Sequence, residues 1–310
     1  MDILLILLVA LAVDLALGEP PRAVHPVVWM GKVASPLVKV GTSHSSLAQF
    51  VYGMGMSLFL IGLFAAATYS ILFYLKNLSF VAYVIVGAAL LKSTFSLREL
   101  RGVALRVKEL LLRGELDKAH HELRSLVSRE TKGLPKPLVV SATVESVAEN
   151  TCDSFVAPLF YFLLFGVPGA IAYRAVNTLD AMVGYHGKYE YLGKFASKLD
   201  DALNFIPARL TALLLVLASF LSGRDARASW QVAFSEHSKT ESPNAGWTMA
   251  AVAGALNVQL GKVGHYKLGK AGAPLIPETI NASLQLMQIT VLIWVIICFI
   301  VGGIYFVLAA

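Results

Sequence analysis

Two stretches of this chain, Phe50 to Leu75 and Leu284 to Ala310, are apolar for the thickness of a membrane and carry almost no charge. At about 1.5 Å of rise per residue, each crosses roughly 30 Å of hydrocarbon as a helix. Backbone polar groups inside lipid must be satisfied by the segment itself, so a helix is the form such runs take. The composition agrees, with 56% hydrophobic and 15% charged residues and a mean hydropathy of +0.67, which excludes disorder and an ordinary soluble domain.

The expected fold is an all-α polytopic membrane bundle with broken or re-entrant helices and cytoplasmic amphipathic helices. It is expected as one domain over residues 1–310, with spans at 1–17, 50–75, 78–91, 155–173, 205–221 and 284–309 and a dip at 246–260. Met1 to Leu17 lacks a basic start and a small-residue cleavage site, so it reads as a retained span. Only Lys76-Asn77 separates the second and third spans, a tight hairpin that puts the loop from Gly18 to Gln49 on the side of Lys92 to Val144. The latter holds the densest run of Lys and Arg, which makes that side cytoplasmic. Within residues 97–136, Leu97, Leu100, Ala104, Val107 and Leu111 recur at helical spacing, so two amphipathic helices broken near Arg113-Gly114 are expected. Cys152 and Cys298 are too few for a disulfide framework or a Cys-based metal site. No basic stripe with interleaved aromatics points to nucleic acid.

Between Val144 and Arg209, acids, amides and arginines abut apolar runs. Ionisable groups beside hydrocarbon are costly and mark function. Glu145, Glu149 and Asp153 are spaced by four, which stacks three carboxylates on one face if the helix continues. A divalent cation relieves their repulsion, and oxygen ligands without Cys suit Mg2+. Arg174, Asn177 and Asp180 form a second polar face able to take metal and phosphate. Asp200, Asp201 and Asn204, followed by Arg209, form a third. The run from Phe155 to Tyr173 contains Pro158, Gly166, Pro168 and Gly169, so a break facing a cavity is expected, with the three clusters sharing one side.

In the first loop, Pro20, Pro21 and Pro26 stiffen the chain around His25, a candidate proton carrier. Pro243, Asn244 and Gly246 mark a turn after His237 able to close over a ligand. There is no G-x-x-x-x-G-K-[ST] loop, no G-x-S-x-G elbow and no H-E-x-x-H, so a nucleotide would be held without a P-loop.

The chain resembles the cobalamin-biosynthesis membrane proteins called CobD in one naming scheme and CbiB in another. The resemblance runs through Asp14-Leu15, GEPPRAVHPVVWMGK, SRET at Ser128 to Thr131, VESVAENTCDSFVAPLFY, PGAIAYRAVNTLDAMVGY, LDDALNFIPARLTA and SPNAGWTMAAVAGALNVQLG. Departures are Lys198, Thr248-Met249 and Lys262, where the family often has arginine, Pro-Glu and glycine. The resemblance implies adenosylcobinamide-phosphate synthase, an ATP- and Mg2+-dependent ligase joining a carboxylate of adenosylcobyric acid to aminopropanol or its O-phosphate. On that footing Glu145, Glu149, Asp153, Asp180, Asp200 and Asp201 are expected to hold Mg2+. Arg174 and Arg209 would grip phosphate, Asn177 and Asn204 would orient ligands, and His25 or a carboxylate would take a proton. Asn204, Asn244 and Arg129 are expected to contact the ATP. Expected partners are the corrinoid, the amine and the lipid bilayer, with a homo-oligomer or other cobalamin-pathway enzymes as further candidates.

Two other classes fit the bare pattern. Membrane prenyltransferases bind Mg2+-diphosphate through Asn/Asp clusters, although neither NTLDAMVGY nor LDDALN has their D-x-x-x-D or N-D-x-x-D spacing. A non-catalytic membrane sensor or transporter would use the same charges for ligand or ion passage.

Overall fold

The computed structural model describes residues 2–21, 23–42, 45–127, 130–185, 187 and 189–308. In chain order the helices are α1 (Asp2–Leu17), α2 (Pro26–Gly41), α3 (Ser46–Leu78), α4 (Phe80–Lys92), α5 (Leu97–Leu112), α6 (Leu116–Leu123) and α7 (Lys136–Thr151). After a π-turn at Cys152–Val156 come α8 (Ala157–Val183), α9 (Lys194–Leu221), α10 (Ala226–Glu236) and α11 (Ala245–Leu256). A short antiparallel hairpin of β1 (Leu260–Lys262) and β2 (Tyr266–Leu268) precedes α12 (Pro277–Leu308). Among the described residues the protein is all-α apart from that hairpin.

Among the described residues, five stretches are long and apolar enough to cross a membrane: Ser46–Leu78, Phe80–Leu112, Lys136–Val183, Lys194–Leu221 and Pro277–Leu308. The second is interrupted by the non-helical residues 93–96 and the third contains the π-turn. In the apolar window of Pro277–Leu308, mean hydropathy is 2.9 and only 11% of residues are buried by protein, so its surface suits lipid. The chain is a polytopic membrane protein.

The chain divides into two compact units, one of Met1–Ser96, Ala157–Leu203 and Cys298–Ala310, the other of Leu97–Val156 and Asn204–Ile297. In the first unit α3 packs on α8, α1 on α4, and α2 on both α3 and α8. Ala34, Val38, Met56, Leu60, Leu179, Val183 and Leu192 form the cluster they share. α8 breaks at Gly166, whose φ of 66° and ψ of −163° are open essentially to glycine alone, and Pro168 follows. That is the break expected in the run from Phe155 to Tyr173.

In the second unit, α5 buries Leu100, Ala104, Val107 and Leu111 of the stripe read from the sequence together with Val103, while Leu97 is half-buried, and Gly114 turns the chain into α6. α11 is the centre of this unit, with every residue from Thr248 to Leu256 buried. It covers most of the segment expected to dip into the membrane. At 12 residues, about 18 Å, it is shorter than a span, and α7 and α10 pack against it.

Three elements differ from expectation. The loop expected from Gly18 to Gln49 holds α2, because Pro26 occupies a first-turn position where its missing N–H costs nothing, and Met30, Ala34, Val38 and Gly41 bury one face. The polar connection after Leu221 contains α10, capped by Asp225 through its bond from Ala228 N–H. LDDALN lies inside α9, which starts at Lys194, ahead of the apolar run expected from Phe205.

Candidate functional site

In the first unit, α8 and the start of α9 bring together the second acidic cluster and the aspartates of the third. Arg174 Nη1 donates to Asn177 Oδ1 at 2.9 Å, and Asn177 Nδ2 donates to Asp200 Oδ1 at 3.4 Å. Asp180 hydrogen-bonds Ser197 and feels the charge of Asp201, which Lys198 approaches to 3.4 Å. Spacing by three on α8 aligns Arg174, Asn177 and Asp180, and Asn177 bridges to the neighbouring helix. The result sets a guanidinium beside carboxylates, a combination suited to phosphate with a hard cation.

A second polar centre of this unit escaped the sequence reading. Lys92, about 1% exposed, places Nζ 2.7 Å from Glu19 and 3.1 Å from the equally buried Asp14, and donates to Phe95 O at 3.0 Å. Glu19 also meets His25 Nε2 at 2.9 Å. His25 Nδ1 accepts the Val27 N–H at 3.2 Å and caps α2, so the bond to Glu19 assigns the ring proton to Nε2. Burial opposes ionisation of Glu19, yet the hydrogen bonds from His25 and Lys92 and the charge of Lys92 outweigh it and hold its carboxyl below the usual value. The candidate proton carrier therefore has both ring nitrogens engaged inside the protein. A lysine ending an apolar run, with an aspartate near the end of another, was the available signal.

In the second unit, Glu145 is buried on α7. Ser141 Oγ donates to its Oε1 at 2.5 Å and Tyr266 OH to its Oε2 at 2.7 Å. Gly261 N–H donates to Ser141 Oγ at 2.9 Å, tying β1 to the same helix. A cavity of about 210 Å³ opens beside this network, lined among others by Glu145, Glu149, Glu241, Ser242, Lys262 and Tyr266. Asp153 lies in the π-turn, a distortion frequent at functional sites.

The same unit fixes an arginine. Arg209 Nη1 donates to Asn244 Oδ1 at 2.8 Å and to Phe205 O at 2.9 Å. Its guanidinium lies 3.7 Å from the Phe205 ring centroid and 5.2 Å from that of Trp247. His237 stacks on Trp247 with centroids 4.0 Å apart. Burial, then the positive charge of Arg209, pushes the His237 pKa below its ordinary value. Asn204 is buried, with Cys152 Sγ 4.0 Å from its Oδ1. The turn expected near Asn244 is a capping loop, in which Ser242 Oγ accepts the N–H groups of Asn244 and Ala245 at the start of α11. Gly246 is required there, since a Cβ would sit 2.0 Å from His237 O.

The structure thus gathers Arg174, Asn177, Asp180, Asp200 and Asp201 within the first unit. Glu145, Glu149, Asp153, Asn204, Arg209 and Asn244 belong to the second. Arg129 lies outside the described residues. Among the described residues no three His, Cys, Asp or Glu side chains converge so as to hold a metal ion unaided. Mg2+ is commonly held by one or two carboxylates with phosphate and water completing its shell, and the oxygen-only donors around Asp180 and Asp200 fit that chemistry. Tyr266, Glu241 and Trp247 were missed, since each acquires its place through contacts distant in sequence.

The model of the family described as CobD/Cbib protein matches residues 7–304. The chain belongs to this family. It is 52% identical over 306 residues to a cobalamin biosynthesis protein CobD of Dehalococcoides mccartyi (strain CBDB1), covering 99% of both chains. A probable cobalamin biosynthesis protein CobD of Methanothermobacter thermautotrophicus (strain ATCC 29096 / DSM 1053 / JCM 10044 / NBRC 100330 / Delta H) is 38% identical over 93% of this chain and 94% of its own. A cobalamin biosynthesis protein CobD of Geobacter metallireducens (strain ATCC 53774 / DSM 7210 / GS-15) is 38% identical over 92% of this chain and 88% of its own. No solved structure matches. Family membership gives the chain a role in cobalamin biosynthesis.

Proposed function

We propose that this family member is adenosylcobinamide-phosphate synthase, joining a carboxylate of adenosylcobyric acid to aminopropanol or its O-phosphate at the expense of ATP. The observation that carries the reading is the chain Arg174–Asn177–Asp200, with Asp180 and Asp201 beside it. A carboxylate is a poor acyl donor, so amide formation needs phosphoryl activation, and a cation with arginines stabilises the charge that moves.

In net terms the carboxylate, the ammonium and ATP give the amide, ADP, phosphate and one proton. The C–N bond forms as a carboxyl oxygen leaves on phosphate. Mg2+ and ATP, when bound, supply that activation. Asp180, Asp200 and Asp201 are the proposed cation-holding groups of the first unit, and Arg174, bonded to Asn177, is the proposed phosphate contact. In the second unit Glu145 and Glu149 offer carboxylates for a cationic group or a proton, Asp153 offers one more for the metal, and the fixed Arg209 offers a second anion contact. Without a P-loop, Asn204 and Asn244 are the proposed nucleotide contacts of that unit. The Lys- and Arg-rich stretch from Lys92 to Val144 favours a cytoplasmic site.

Purified protein in nanodiscs would be incubated with adenosylcobyric acid, either amine, ATP and Mg2+, and the product followed by mass spectrometry. One ADP per amide is expected. Diphosphate release from a prenyl donor, or ligand flux with no turnover, would replace this reading by the prenyltransferase or transporter class.

A further inference from the structure

We infer that the cavity beside Glu145 and the β-hairpin binds a small primary amine carrying an oxygen function, which is the nitrogen donor if the ligase reading holds. The inference deepens that reading and rests on it for the ligand's fate, not for its chemistry.

Size is the first argument. About 210 Å³ lies below the roughly 300–1,000 Å³ typical of pockets for drug-sized ligands, so the cavity by itself does not enclose a whole nucleotide or corrinoid. It suits a molecule of a few heavy atoms.

The lining then decides the charge. Glu145, Glu149 and Glu241 contribute carboxylates, while Lys262 contributes a cation and Ser242 and Tyr266 contribute hydroxyls. A simple anion would meet three carboxylates. A bare metal ion would meet a lysine, and no three metal-ligating side chains converge among the described residues. An ammonium is less demanding, since its three N–H donors accept acceptors over a wider range of positions than a small dication allows. A dipolar ligand, ammonium at the carboxylates and hydroxyl or phosphate towards Lys262, matches both signs.

The site is also built. Glu145 is only 4% exposed, and the bonds from Ser141 and Tyr266 fix its carboxylate. Lys262 and Tyr266 are directly paired across the hairpin, so their side chains share a face. The hairpin is tied down by Gly261 N–H to Ser141 and by His265 Nδ1, 2.7 Å from Glu241 Oε1.

The test is binding of 1-amino-2-propanol, of its O-phosphate and of 2-propanol to the full chain in nanodiscs by calorimetry, with amide formation measured in parallel. Both amines are expected to bind and 2-propanol is not. Glu149→Gln should raise the KM for either amine about tenfold or more, the loss of a charge-assisted hydrogen bond, while the KM for ATP stays put. Lys262→Gln should weaken the phosphate ester selectively, and its side chain takes no part in strand pairing, so folding is safeguarded. Amide formation with an unchanged amine KM in both variants would sink the pocket and leave the ligase reading standing. Amine binding that Glu149→Gln weakens, with no amide formed from any amine, would sink the ligase reading and leave the pocket standing. Equal binding of 2-propanol, or no amine binding, overturns the inference.

Discussion

Lys92 Nζ lies 3.1 Å from Asp14 Oδ1, and both residues are about 1% exposed. Neither charge is tolerable there alone. Removing one member of a buried pair strands the other and costs about 3–5 kcal/mol, whereas a well-packed apolar replacement of the whole set is often neutral. Lys92→Met is therefore expected to lower the thermal midpoint of detergent-solubilised protein sharply. Adding Asp14→Leu and Glu19→Gln to it should recover much of the loss. A Lys92→Met single variant as stable as wild type would show that the pair is not formed.

Glu19 gives that centre a pH dependence. Its folded carboxyl titrates below the ordinary 4.5, so its contribution is present above that value and lost as pH falls through the folded pKa. Stability should decline with acidification below about pH 4.5, and Glu19→Gln should flatten that part of the profile. Thermal melting at a series of pH values measures it.

His237 acts in a higher window. Its folded pKa lies below the ordinary 6.5, so the folded state favours the neutral ring and stability is lost as pH falls from about 6.5 through the folded value. His237→Phe keeps a ring against Trp247 and removes the titration. Its stability should vary less than wild type across that window. In Arg209→Gln the positive neighbour is gone, and the histidine ring signals followed by NMR should titrate at higher pH than in wild type.

Arg209 itself should not tolerate lysine. Its planar group is held by Asn244 while lying over Phe205, and an ammonium reproduces neither the stack nor the fork. Arg209→Lys is expected to lower amide-forming activity about tenfold or more. Asn244→Ala should lower it too, with the double variant less than additive because the two side chains share one hydrogen bond. Full additivity in the measured kcat/KM would separate their roles.

Long apolar runs and acidic spacings were legible because both are one-dimensional. A long apolar run needs no partner to be recognised, and Arg174, Asn177 and Asp180 align by helical period alone. Residues 18–49 were misread because Pro26 looks the same in a stiff loop as in the first turn of a helix. The surroundings of Glu145 were not legible at all: Tyr266, which orients it, is 121 residues away. Lys92 hid for the same reason, since of its partners Asp14 and Glu19 the nearer in sequence is 73 residues away. Local pattern shows which side chains are chemically capable, while long-range packing decides which of them are already occupied.

Gly166 tests whether the break in α8 serves the site. Its φ of 66° with ψ of −163° costs a residue bearing a Cβ about 1–3 kcal/mol, although no atom but Pro168 Cδ at 3.7 Å stands near the added carbon. Backbone strain, not crowding, is therefore the expected penalty of Gly166→Ala. Gly62, in the middle of α3 with nothing within 4 Å of an added methyl, is the control, where alanine should be neutral or stabilising by up to about 1 kcal/mol. Arg174 follows the break by eight residues on the same helix, so a chain that relieves the strain by straightening shifts the guanidinium from Asn177. Gly166→Ala should accordingly lose amide-forming activity beyond its loss of stability, with the KM for ATP rising, and Gly62→Ala should lose neither. If Gly166→Ala melts with Gly62→Ala and turns over like wild type, the break is dispensable and Arg174 is positioned by its contacts alone.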